Sequence, residues 1–460
     1  MNGLKHLRKP ELLTLLALAA MFWGTRILYW LQISEAPFSD LLDYVNVARN
    51  IYTHFFWGEN PSLSTYYAPT TPAFIALSLV IGGEAGFEWV FRFLIQCLAF
   101  ASLLLLCIEI FLLTRNQHHA YALLIVVALC RPSIFWSYKL GTETVSEALL
   151  WLTMAAGLRA IRTKGWQAAM FAGSAGLALG LGRPQFLPAV LLMGLTIVLC
   201  ASFNGRIASP RIAGLLPRTA LRQGFAFAVG VLIVWSPWLV RNHRITHNIV
   251  AVGTSGTDSL LWEAGGGPIG RQTYTSLALS DGTVITEFGL PALRQWVAHL
   301  PTDYERKQRL QLVVDAWLRA NWKEFPELVT KRLLLFASQR GPSALTTVSR
   351  ERLFGEADRP AWARMTRALN VILFDKSTAT SWIALAGAAI AALTLGGAGW
   401  VLATMAIVPA IVAACVIGIE RSVEPLIPLQ LWLAFFAMAT AFAWLRRRIE
   451  TKRRHGARLR

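Results

Sequence analysis

Long apolar runs separated by short polar segments make up most of the chain. Most of the runs approach or reach the roughly 20 residues that an α-helix needs to span about 30 Å of hydrocarbon. They are Glu11–Leu31, Trp89–Leu113, Ala120–Trp136, Phe186–Ala201, Phe225–Val240, Trp382–Thr394, Trp400–Ile419 and Leu426–Leu445. Of the 460 residues, 55% are hydrophobic and 15% are charged, whereas soluble domains carry about 25% charged residues. The pattern predicts an all-α polytopic membrane protein.

The basic residues predict how these helices are oriented. The net charge is +18, but no basic face with interleaved aromatic residues suggests nucleic-acid binding. The Arg and Lys residues instead form short clusters beside apolar runs, at Lys5–Lys9, around Arg115, at Arg159–Lys164, at Arg206–Arg222 and at Arg446–Arg460. If all five face the cytoplasm, an even number of crossings separates each neighbouring pair. The short apolar stretch Pro72–Gly82 is therefore expected to be re-entrant or interfacial rather than a full crossing.

These constraints predict about ten transmembrane helices. They are expected near 11–32, 88–113, 119–137, 144–162, 167–182, 184–202, 223–240, 379–396, 398–418 and 425–446. Residues 1–240 would form an N-terminal transmembrane catalytic module with a first outer loop at about 33–87. Residues 241–378 would form an extracytoplasmic cap region with short surface helices, followed by C-terminal transmembrane helices at 379–446 and a basic cytoplasmic tail at 447–460.

The segment after the first predicted crossing contains the most informative candidate for chemistry. Asp40, Tyr44 and Ala48 are spaced by four residues, so on a helix they share one stripe. A carboxylate at the outer membrane surface can act as a general base toward a hydroxyl acceptor. A purely structural alternative is that Asp40 caps the amino end of the helix, which is a common role for aspartate.

Further charged residues fall at the same predicted membrane surface. Lys139 and Glu143 border the fourth predicted crossing, although Glu143 could simply be a first-turn residue favoured by the helix dipole. Arg183 separates two crossings and is suited to hold a phosphate diester, or else it snorkels from a helix end. Arg241 follows an interfacial Trp-Ser-Pro-Trp stretch, and Arg421 lies between the last two crossings.

No metal site is predicted. His243 and His247 are four residues apart, but no third ligand accompanies them at a recognisable spacing.

The order of short motifs along nearly the whole chain is similar to that of a known enzyme family. The motifs are Asp-x-x-x-Tyr-x-x-x-Ala at 40–48, Pro69 and Pro72, Thr142-Glu143, Gly182-Arg183-Pro184, Pro237-Trp238 with Arg241-Asn242, the Thr254–Thr257 element, and Glu-Arg-x-x-x-Pro-x-x-Pro at 420–428. In this order they resemble the GT-C membrane glycosyltransferases of the protein O-mannosyltransferase and aminoarabinose transferase type.

The resemblance implies a GT-C fold and an enzyme of the plasma (inner) membrane whose active site faces the exterior. Such an enzyme moves a sugar from a polyprenyl-phosphate donor to a hydroxyl of a lipid, polysaccharide or protein acceptor. By motif match, Asp40 is the catalytic base. The residues expected to bind the donor phosphate or sugar are Tyr44, Lys139, Glu143, Arg183, Arg241 and Arg421. No cofactor follows from the motifs, and a need for a divalent cation is left open.

Two departures from the family pattern narrow this expectation. Leu41 stands where some branches carry a second acidic residue, which favours a lipid or polysaccharide acceptor over a protein. Ser422 stands where the family often has a tyrosine, which weakens the expected contribution of the last outer loop.

A transporter or flippase of lipid-linked sugars is the alternative, because it would also place charges in a membrane cavity. Transporters often show two related halves with interrupted helices, and the sequence shows no such halves. The long segment 241–378 suits an acceptor-binding cap better. A membrane scaffold without enzymatic activity is a third possible function. The expected partners are thus the glycolipid donor, the acceptor and membrane lipids.

Overall fold

The chain forms a bundle of apolar α-helices. The structure is a computed structural model, and it describes residues 9–31, 40–54, 67–202, 218–253, 277–285, 290–300, 303–338, 378–416 and 424–458. The helices up to residue 246 are α1 (Lys9–Trp30), α2 (Asp40–His54), α3 (Thr70–Thr114), α4 (Gln117–Leu129), α5 (Arg131–Trp136), α6 (Thr142–Thr163), α7 (Trp166–Gly182), α8 (Leu187–Ser202) and α9 (Arg218–Thr246). A 3₁₀ turn at Pro184–Phe186 joins α7 to α8.

A small mixed unit and three apolar helices follow. The strands β1 (Leu277–Ala278) and β2 (Val284–Ile285) pair antiparallel. The helices are α10 (Leu290–Val297), α11 (Asp303–Asn321), α12 (Phe325–Ser338), α13 (Thr378–Thr394), α14 (Gly397–Val416) and α15 (Ile427–Arg458).

Six of the described helical segments are long and apolar enough to cross a membrane. They are Leu13–Trp30, Thr70–Thr114, Pro184–Ser202, Arg218–Thr246, Gly397–Cys415 and Glu424–Arg446. Two further apolar helices, Gln117–Leu129 and Thr380–Thr394, are shorter. The described part of the chain is thus that of an all-α membrane protein, while the number of about ten crossings stays a prediction.

One end of the bundle, which we call the Trp136 end, gathers segments distant in sequence. The Trp30 indole at the end of α1 donates to Ser137 Oγ at 2.9 Å. The Trp136 indole donates to the carboxylate of Glu424, just before α15. Thr70 Oγ1, at the start of α3, donates to the Ala178 carbonyl in the last turns of α7 at 2.8 Å. The starts of α3 and α15 and the ends of α1, α5 and α7 therefore lie together.

The opposite end, which we call the Arg162 end, gathers the basic segments. Arg162 in the last turn of α6 forms a two-pronged ion pair with Glu109 near the end of α3, at 2.7 and 2.9 Å. Near the start of α9, Gln223 donates to the Ala160 carbonyl at 3.0 Å. Because α15 begins at the Trp136 end, its basic residues from Arg446 on lie toward the Arg162 end. The described basic residues around Arg115, at Arg159–Lys164, at Arg218–Arg222 and from Arg446 on therefore lie toward one end, while their cytoplasmic side stays a prediction.

Helix α3 is broken at Gly83, whose φ of 61° is a conformation that glycine adopts without strain. A Cβ on Gly82 would lie 3.1 Å from the Phe87 nitrogen, so the chain turns sharply here. Further along α3, Arg92 donates to the Tyr138 carbonyl at 2.8 Å, which puts this turn near the Trp136 end. The segment before the break starts at the same end, since Thr70 contacts α7 there. It is helical, and its re-entrant or interfacial position stays a prediction.

Helices α7 and α9 approach one another unusually closely through glycines. A Cβ on Gly230 would lie 1.9 Å from the Met170 carbonyl oxygen, and one on Gly173 would lie 2.2 Å from the Phe227 carbonyl oxygen. Ser174 Oγ adds a 3.0 Å hydrogen bond to the Gly230 carbonyl. Small residues permit such backbone contact between membrane helices.

The hairpin formed by β1 and β2 shares a separate small core with α10 and α11. Leu279, Ile285, Leu293, Val313 and neighbouring apolar residues are buried together. Asp281 in the hairpin accepts from the Thr283 backbone N–H and pairs with Arg309 of α11. The Thr283 backbone hydrogen bond, helped by Arg309, holds the pKa of Asp281 below its usual value.

We predict that Gly230→Ala destabilises the bundle by about 1–3 kcal/mol, the usual cost of forcing extra volume into a packed site. The added methyl would collide with a backbone carbonyl, which moves only if a helix moves. Thermal unfolding of the detergent-solubilised protein measures the effect. Gly24→Ala in α1 is the matched control, because a Cβ there would meet nothing within 4 Å. Equal melting temperatures for the two variants would contradict the close α7–α9 contact.

Candidate functional site

A buried ion pair joins α6 to the end of α7 at the Trp136 end. The guanidinium of Arg183 donates to the carboxylate of Glu143 and, through Nε, to Thr142 Oγ1 at 3.1 Å. Arg183 is 7% exposed and Glu143 is 1% exposed. Arg183 has extended backbone between α7 and the turn that begins at Pro184, and Glu143 lies in the first turn of α6. Two residues 40 positions apart thus form one charge-balanced group.

This pairing changes the roles expected for both residues. Arg183 is buried rather than extended to a surface. Glu143 is not only a first-turn residue favoured by the helix dipole, because its carboxylate pairs with Arg183. A buried charge in an apolar bundle is costly unless it is paired. A phosphate that binds Arg183 would therefore have to share the guanidinium with Glu143.

The start of α2 lies against this pair. A Cβ on Gly141, two residues before Glu143, would be 3.2 Å from Leu41 Cδ2. Asp40 is the first residue of α2 and precedes Leu41, so its backbone lies next to the start of α6. The side chain of Asp40 lies outside the described part of the structure. Its role as a base stays a prediction.

The rest of α2 presents an apolar face to the bundle and an aromatic edge to its surroundings. Leu41, Val45 and Ala48 are buried. Tyr44 is half-buried and packs edge-on against Tyr67, with the ring centroids 4.8 Å apart. The Tyr67 hydroxyl donates to Asp43 at 2.7 Å. Asp43 therefore already has a partner near the start of α2.

The turn that carries Lys139 is fixed residue by residue. The Trp136 indole is hydrogen-bonded to Glu424, the Ser137 hydroxyl to the Trp30 indole, and the Tyr138 carbonyl to Arg92. The Lys139 side chain is buried, with its ammonium 5.5 Å from the centre of the Phe135 ring. A cation held among aromatic rings in a low-dielectric site is suited to an anionic ligand group.

Arg241 lies at the same end of the bundle, near the end of α9. It is buried, stacks 5.0 Å from the Trp238 ring centre, and donates to Asn242 Oδ1 at 2.9 Å. Trp238 packs with Leu177 and Leu181 in the last turns of α7. Arg241 and Arg183 are therefore linked through the end of α7.

Two predicted elements fall outside the described residues. These are Arg421, in the segment before Glu424, and the Thr254–Thr257 element. Among the described residues, no group of three or more His, Cys, Asp and Glu side chains could hold a metal ion.

Sequence reasoning missed a second buried polar group. Arg26 of α1 is 1% exposed and donates to Gln96 Oε1 at 2.8 Å and to Ser133 Oγ at 2.7 Å. Ser133 in turn donates to Glu147 at 2.7 Å. The available signal was a lone arginine inside the first apolar run, which in a membrane helix indicates a buried partner.

Comparisons of the chain with protein-family models, with curated proteins and with solved structures found no match in any of the three.

We predict that Arg183→Leu destabilises the protein by about 3–5 kcal/mol, because it leaves the Glu143 carboxylate buried without its main counter-charge. The double variant Arg183→Leu with Glu143→Leu should recover most of that loss, since apolar side chains can replace a buried pair at little cost. Unfolding midpoints of the two single variants and the double variant in detergent test the coupling. Additive losses would contradict it.

Proposed function

We propose that this protein is a membrane glycosyltransferase that moves a sugar from a polyprenyl-phosphate donor to a hydroxyl group of a lipid, polysaccharide or protein acceptor. The observation that carries the proposal is the convergence of the α2 start with the Thr142, Glu143 and Arg183 group at one end of the bundle. We further propose that this end faces the exterior of the plasma membrane.

The charge pattern supports an anionic donor attached to a lipid. Lys139, Arg183 and Arg241 are all buried near the ends of apolar helices, where a phosphate can be neutralised while a polyprenyl tail stays in the hydrocarbon. Preorganised cations stabilise the charge that develops on a leaving group. Arg183, which pairs with Glu143, would share this role with Lys139, Arg241 and Arg421.

The proposed reaction is an inverting displacement with Asp40 as general base. The acceptor oxygen forms a bond to the anomeric carbon as the bond from that carbon to the phosphate oxygen breaks, and polyprenyl phosphate leaves. The acceptor proton passes to the Asp40 carboxylate and then to water. A carboxylate of pKa about 4 is a weak base for a hydroxyl, so proton transfer comes late, when the new bond is largely formed. The motif order that resembles the GT-C enzymes supports this assignment.

We predict that Asp40→Asn lowers turnover by about 10²–10⁴-fold, the usual contribution of general-base catalysis, with little change in the unfolding temperature. The assay incubates purified protein with a radiolabelled polyprenyl-phosphate sugar and an acceptor extract and measures released polyprenyl phosphate. Asp43→Asn is the matched control, since Asp43 lies three residues along the same helix and bonds Tyr67.

Three outcomes separate the alternatives. Loss of turnover in Asp40→Asn but not in Asp43→Asn supports Asp40 as the general base. Full turnover in a folded Asp40→Asn variant removes Asp40 from the mechanism. Movement of labelled glycolipid across reconstituted vesicles without release of polyprenyl phosphate would overturn the enzyme proposal in favour of a flippase.

A further inference from the structure

Glu424 links the segment that leads into α15 to the turn that carries Lys139. It is 3% exposed and lies in the short turn that leads into α15. Its carboxylate accepts from the Trp136 indole N–H, across 288 positions of sequence. A carboxylate oxygen and an amide carbonyl oxygen can both accept such a hydrogen bond.

Trp136 transmits this contact to Lys139 through its own carbonyl. The Trp136 carbonyl accepts from the Lys139 backbone N–H at 3.0 Å and from Thr144 Oγ1. Trp136 is thus held at its indole by Glu424 and at its backbone by Lys139 and by α6. A change at the Trp136 indole can therefore reach Lys139 through this shared carbonyl.

We infer that Glu424 is a positioning residue that sets the location of the Lys139 ammonium by holding the Trp136 indole. This inference rests on the proposed function in one respect, namely that Lys139 binds the donor phosphate. Glu424 then acts on donor binding and leaves the chemical step unchanged. The important property is its acceptor oxygen, so glutamine, which keeps a carbonyl oxygen, should largely replace it.

The kinetic test compares Glu424→Leu, Glu424→Gln and Trp136→Phe by the release assay. We expect the KM for the donor to rise about tenfold in Glu424→Leu and in Trp136→Phe, a change of about 1.4 kcal/mol in binding free energy, because a displaced Lys139 ammonium binds the donor phosphate less well, with kcat within about twofold of wild type. Glu424→Gln should stay close to wild type. Glu327→Leu is the control, since Glu327 is an exposed carboxylate paired with Lys331 on α12.

A second measurement does not need turnover. Acylation of Lys139 by a small amine-reactive reagent, followed by peptide mass spectrometry, should be several-fold faster in Glu424→Leu and Trp136→Phe than in wild type or Glu424→Gln. In a cycle of unfolding temperatures, Glu424→Leu combined with Trp136→Phe should lose no more than the larger single loss.

Each of three results would overturn the inference: a fall in kcat with unchanged donor KM, a Glu424→Gln variant as impaired as Glu424→Leu, or additive losses of unfolding temperature in the double variant. If Glu424→Leu does not fold, Trp136→Phe carries the same comparison. If wild-type protein releases no polyprenyl phosphate, it is the glycosyltransferase proposal that fails. Lys139 acylation and the unfolding cycle then decide whether Glu424 positions this turn.

Discussion

Charges buried among apolar helices have to be balanced, and this constraint fixes the site end of the bundle. Helix α6 shows it most directly. Glu143 binds Arg183 at the end of α7, while Glu147, one turn deeper, is linked through Ser133 to Arg26 of α1. One helix is therefore held from two sides by carboxylates four residues apart. Buried pairs seldom add much net stability, but breaking them is costly, so they select this arrangement over others.

The neighbouring contact between α7 and α9 depends on close backbone packing and not on paired charges. No charge is involved at Gly173 and Gly230, where backbone lies directly against backbone. Because a glycine contact leaves no side chain to adjust, the separation of the two helices is set mainly by van der Waals contact, with the Ser174 hydrogen bond to the Gly230 carbonyl beside it. Arg183 follows α7 and Arg241 lies near the end of α9, so the spacing of these two cations depends on this uncharged packing.

Periodicity and length predicted most of the helices well, because a membrane helix is specified by a continuous apolar run. The predicted crossings at 167–182 and 184–202 correspond closely to α7 and to the 3₁₀ turn with α8. The predicted crossing at 119–137 is instead two helices, α4 and α5, separated at Cys130, and Pro132 in the first turn of α5 accounts for the break.

The site was predictable in its residue types but not in its pairings. Motif order selected Glu143 and Arg183, yet nothing in their spacing shows that they bond each other. Arg26 and Glu147 are 121 positions apart, and Trp136 and Glu424 are 288 apart, so only the fold brings them together. Asp40 stays a prediction, since the structure describes its place in α2 but not its side chain.

Helix α15 continues without interruption past its apolar part. Its 32 residues correspond to about 48 Å at 1.5 Å per residue, well beyond the roughly 30 Å of hydrocarbon. The last 13 residues, 446–458, include seven Lys or Arg and one Glu. These residues extend the helix beyond its apolar part and include all of its Lys and Arg residues. Because the extension is continuous with the apolar part of α15, its direction follows the tilt of that part.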